Sequence, residues 1–160
     1  MSTLLGDKRR FAAEVGEWVG GLRRVDLWAA DQWLTCDDNA AYVPRFRHAV
    51  RQTAAEVSAG YGKPQPFADL SPAAAHRRLA AATTEEEELF RERFWIFHWG
   101  PTTDNLRTFV FRDGDELVLT FQFWREAHLR EHPEHAEAVF AVAIPAAEFV
   151  GILDGLVACL

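Results

Sequence analysis

His128, His132 and His135 are spaced H-x3-H-x2-H, and this is the one stretch where side chains of a single reactive type recur at near-helical intervals. On an unbroken helix the three imidazoles share a face and could hold zinc with an open fourth position, with Glu131 or Glu134 as a base. Pro133 lies inside the motif, removes a backbone donor and restricts His132, so the spacing predicts a surface connector with no metal bound. Asp37, Asp38 and Asn39 offer oxygen ligands but lack the alternating acids, glycine and terminal glutamate of a calcium loop, so they read as loop caps. Cys36, an adjacent aspartate and any of six histidines can be written as a nucleophilic trio, but nothing in the spacing selects one. No phosphate loop, dinucleotide fingerprint or nucleophile elbow occurs. No cofactor is expected.

A second set of residues suits recognition rather than catalysis. The stretch from Arg93 to Arg125 holds nine Phe or Trp residues, well above the 12% aromatic content of the chain. Trp99, Asp104, Asn105, Gln122, Trp124 and Arg125 fall near the ends of its predicted strands. Aromatic rings interleaved with amide, carboxylate and guanidinium groups combine low-entropy apolar area with oriented hydrogen bonds, which is protein-contact chemistry. These six are the predicted partner-binding residues.

The elements that must position them follow from pattern. Asp113-Gly114 between two apolar runs predicts a hairpin with arms at about 106–112 and 116–124. Matching Phe109 and Phe111 to Leu117, Leu119 and Phe121 on one face favours an odd-numbered loop with Gly114 at positive φ. Phe94 to Trp99 is apolar on both alternating sets and reads as a central strand. Upstream, Asp7 is expected to cap a helix reaching about Val19, ended by Gly20-Gly21, and Leu22 to Ala29 alternates as a strand. Pro44, Ser71-Pro72 and Thr84 with its glutamates open three further helices. Ala138 to Ile144 reads as a strand, and a last helix after Pro145 carries Phe149, Ile152, Leu153, Leu156 and Val157 on one face. Helices early and strands late predict α+β, a mostly antiparallel aromatic-rich sheet packed against several helices in a single domain over 1–160.

Composition bounds the partners. A net charge of −7 argues against nucleic acid and leaves room for a basic protein partner. No run is long enough to span a bilayer. Two cysteines without CxxC spacing, and no charged-then-apolar leader pattern, set the expectation of a reducing cytoplasm.

One segment adds a resemblance. Asp26-Leu27-Trp28-Ala29, through Leu34-Thr35-Cys36-Asp37-Asp38-Asn39, to Tyr42-Val43-Pro44-Arg45-Phe46 resembles the strand, D-N-x-x-Y-x-P turn and helix of small bacterial immunity proteins from polymorphic toxin systems. It covers about the first third of the chain. The resemblance implies a cytoplasmic, non-enzymatic inhibitor that binds a cognate toxin, and carries over no functional residue. The alternative is a small-molecule-binding module or accessory enzyme with a cleft between the aromatic sheet and a helix.

Overall fold

The computed structural model describes residues 2–160. Its first sheet is built from β1 (Thr3–Asp7), β2 (Phe11–Val19) and β3 (Leu22–Ala29), each antiparallel to the next. Two short strands, β4 (Gln32–Trp33) and β5 (Ala40–Ala41), both pair with β3. Three helices follow: α1 (Val43–Ser58), α2 (Pro72–Ala80) and α3 (Glu85–Arg91). The second sheet, β6 (Leu106–Asp113), β7 (Glu116–Phe123) and β8 (Phe140–Pro145), is also antiparallel, with the short α4 (Glu126–Glu131) between its last two strands. Helix α5 (Ala146–Cys159) ends the chain. The architecture is α+β, in two sheets rather than one.

The helix starts obey local chemistry. Ser71 accepts the Ala74 N–H, Thr84 accepts the Glu87 N–H, and Pro44 occupies the first turn of α1, as the sequence predicts. Phe46, Val50, Ala54 and Val57 of α1 and Phe149, Ile152, Leu153 and Leu156 of α5 are buried. They join the inner faces of both sheets in one core.

Three expectations are overturned. Residues 7–19 form the turn and second strand of the β1–β2 hairpin, not a helix. Asp7 closes its turn by accepting the Arg9 N–H at 2.9 Å, and Gly20 and Gly21, at φ 58° and 84°, make the next hairpin turn rather than a helix end. The Phe94–Trp99 segment is not a strand. After a 3-10 turn (Glu92–Phe94) it makes one isolated bridge, Trp95 to Phe109, and Phe97 adopts φ 64°. Hydroxyls take the place of a ladder there: Tyr61 donates to the Trp95 carbonyl, Thr108 to that of Ile96 and Thr103 to that of Phe97. The β6–β7 loop has two residues, Gly114 and Asp115, so Phe109 faces Thr120 and Phe111 faces Val118. Gly114 does take positive φ, at 60°. Apolar matching failed as a guide to register because both faces of this sheet are covered. Leu117, Leu119, Phe121 and Phe123 face the main core, while Phe109 and Phe111 pack with Ala75 and Leu79 of α2.

Candidate functional site

Of the six predicted partner-binding residues, two lie in the interior, three line one cleft, and Gln122 is half-buried outside that lining. Trp99 is 2% exposed; its indole N–H donates to Thr53 at 2.9 Å, and its ring meets the edges of Phe46 and Phe97. Asn105 is also 2% exposed and donates to the Leu34 carbonyl at 3.0 Å and to Asp37 at 2.8 Å, tying β6 to the first sheet. Both are interior supports with no surface to offer a partner. The sequence could not show this, because each is held by residues more than forty positions away.

Asp104, Trp124 and Arg125 do come together. Trp124 is 48% exposed, yet its Nε1–H is held by the Asp104 carbonyl at 3.0 Å, and the Arg125 guanidinium lies 5.7 Å from its ring centre. They line a cleft of about 400 Å3 between the end of α3 and β6, whose walls also include Arg91, Trp95, His98 and Arg107. Gln122 sits opposite Arg107 in the β6–β7 register and is half-buried. Burial pushes the Arg107 pKa down, and the nearby Arg91 charge pushes it further. Burial also lowers His98, with the Asp104 charge opposing. Sequence reasoning missed Arg91, Trp95, His98 and Arg107. The signal for Arg107 was present: a cation at the head of a face whose next members are Phe109 and Phe111.

The histidine run is not a surface connector. His128, on α4, is 2% exposed and lies flat on Phe123 with ring centres 4.2 Å apart. Its Nδ1 is within 2.8 Å of Asp37 Oδ2, and its Nε2 within 2.8 Å of His135 Nδ1. His132 closes the group, 4.7 Å from His128 between ring centres. Pro133 thus turns the chain so that His135 folds back onto the same platform, where an interrupted helix had been expected to separate them. The donor atoms of Cys36, Asp37 and His128 fall within 4.8 Å of one another, as do those of His132, Glu134 and His135. Both ring nitrogens of His128 are already engaged, which makes this an Asp–His–His hydrogen-bond chain. Burial raises the Asp37 pKa, but hydrogen bonds from His128 and Asn105 outweigh it and hold the carboxyl below its usual range. The Cys36 thiol, 3.8 Å from the Nδ1 that Asp37 occupies, is pushed up to about 12 by burial and by the Asp37 charge. A thiol nucleophile needs its base and the orienting acid on opposite ring nitrogens and a lowered pKa; this arrangement has neither.

No helix among the described residues is long and apolar enough to cross a membrane. No protein-family model matches the chain, and no curated protein matches it. A solved structure does: the crystal structure of CdiI from Burkholderia dolosa AUO158 superposes with a TM-score of 0.64 at 10% sequence identity, covering 99% of this chain and 100% of that one. At that identity the likeness is one of fold, and it spans nearly the whole of both chains.

Proposed function

We propose that this protein is an immunity protein that neutralises a cognate toxin by binding it directly, acting in the cytoplasm. The observation that carries the reading is the end-to-end fold likeness to a CdiI, the immunity protein of a contact-dependent inhibition toxin system. The strand–turn–helix resemblance in residues 26–46 points the same way. The binding face we propose is the cleft mouth at Asp104, Trp124 and Arg125. An exposed tryptophan already pinned through its indole N–H loses little freedom on binding, so its apolar area converts efficiently into affinity.

The test is to look for a toxin gene beside this one and to titrate its catalytically inactivated product against the wild type and Trp124→Ala. Trp124→Ala is expected to weaken binding by about 2 kcal/mol, roughly thirty-fold, with an unchanged thermal midpoint. Failure of the wild type to bind overturns the reading. In that case the second reading takes over, a small-molecule-binding or accessory-enzyme cleft, which rests on the cleft volume of about 400 Å3 between sheet and helix.

A further inference from the structure

The chain carries a formal charge of −7, yet three arginines, Arg91, Arg107 and Arg125, line the cleft beside a single carboxylate, Asp104. None of the three is ion-paired among the described residues. Elsewhere the protein satisfies its buried charges. Asp26, 3% exposed, is bonded by Arg24, Trp33 and Asn39. Arg112, half-buried on the same strand as Arg107, donates to the carbonyls of Gly114, Val57 and Tyr61. Arg107 is the exception: half-buried, repelled by Arg91, and without a hydrogen-bond acceptor among the described residues. Half-buried rather than desolvated, its guanidinium has donors to spare on the cleft side. Leu or Met would suit a position continuing the Phe109–Phe111 face.

We infer that the cleft recognises carboxylates presented on an acidic loop of the protein partner, with Arg107 as the central fork and Arg91 and Arg125 on either side. The inference rests on the immunity reading and specifies the partner's chemistry. A guanidinium matches a carboxylate with two parallel hydrogen bonds, and Trp124 supplies an apolar wall that keeps water from the pair. The whole-chain charge would suit a basic partner at long range, but the cleft has the opposite local sign. Nucleic acid also carries anions; however, a long polyanion meets the repulsion of the entire acidic surface, whereas one acidic loop meets only the cleft. Asp104 at the rim then sets register, favouring a cation next to the loop's carboxylates.

The experiment titrates the inactivated toxin domain sought above against wild type, Arg107→Gln, Arg107→Lys and Arg125→Glu. Arg51→Glu, an exposed change on α1, makes the same charge change as Arg125→Glu away from the cleft. Arg107→Gln is expected to weaken the complex at least about ten-fold while leaving the thermal midpoint of the free protein equal or higher, because the guanidinium makes no bond within the fold that the change would break. Arg107→Lys should recover part of the affinity, and Arg51→Glu should change little. A merely structural Arg107 would instead lower the midpoint of the free protein. If the toxin domain binds wild type and the arginine variants alike while Trp124→Ala weakens it, the immunity reading stands and carboxylate recognition is overturned. If a short poly(U) RNA binds wild type and is lost in Arg107→Gln while toxin affinity is unchanged, the cleft serves nucleic acid and the inference falls. If the toxin domain does not bind wild type, both readings fall together.

Discussion

Acid should weaken the fold through His76, and the size of the effect can be worked out. His76 sits on α2, fully buried, with Nδ1 2.7 Å from the Thr120 hydroxyl and its ring against Phe109 at 4.8 Å. Burial lowers its pKa from 6.5 to about 4, the Arg107 charge adds to the shift, and the Gln122 amide opposes it. The folded-state value is depressed, so the unfolded chain takes up a proton first. Stability is fully present above the unfolded value and is lost as pH falls from about 6.5 through about 4. A gap of about 2.5 units caps the loss near 3 kcal/mol, and lowering the pH from about 7.5 to 5 realises about 2 kcal/mol of it. Urea unfolding of wild type and His76→Gln at those two pH values measures the difference. The variant keeps a polar group near Thr120 and is expected to lose about 2 kcal/mol less than wild type across that interval. His98 and His135 are also lowered by burial and act in the same direction, but they remain in both proteins and cancel in the comparison. An equal loss in wild type and variant would refute the reasoning.

Gly114→Val should lower stability by about 1 kcal/mol or more by denaturant unfolding, with Gly114→Asn costing less. An added Cβ meets nothing within 4 Å, so the cost is one of backbone at φ 60° alone, and equal stability of Val and Gly would contradict it. Cys36, with its thiol pushed up to about 12, should alkylate with iodoacetamide at neutral pH about thirty-fold or more slower than a thiol of ordinary pKa, as followed by peptide mass, because the loss of thiolate exceeds its gain in nucleophilicity. Fast labelling at Cys36 would mean that its burial beside Asp37 does not hold in solution.

Helices whose ends carry their own chemistry were legible: Pro44, Ser71 and Thr84 begin α1, α2 and α3 as their types dictate, and the apolar stripe of α5 faces the core. The first hairpin was not legible, because residues 11–19 satisfy two periods at once. Phe11, Val15 and Trp18 fit a helix; Phe11, Ala13 and Val15 fit a strand, and the structure buries the strand set while leaving Trp18 exposed. Gly20-Gly21 serves either as a helix stop or as a hairpin turn. The histidine cluster was missed for a different reason. Its platform, Phe123, and its anchor, Asp37, lie in separate elements, and only the folded chain places them under His128.

The site itself depends on the same two-sided sheet that misled the register argument. With a two-residue loop, Arg107, Phe109 and Phe111 lie with Gln122, Thr120 and Val118 on the face that α2 covers. That helix has nine residues and so spans about 13 Å, whereas an eight-residue strand runs about 26 Å. Ala75 and Leu79 cover the Phe109–Phe111 end. Of α2, His76 comes near the row where Arg107 faces Gln122, and the chain from Arg91 through His98 walls the space beyond it into the cleft. An odd-numbered loop would have placed Arg107 on the same face as Phe121 and Phe123, inside the main core, where no acid waits for it. The short turn at Gly114 therefore does more than join two strands: it sends the arginine to the cleft end of the face that α2 covers.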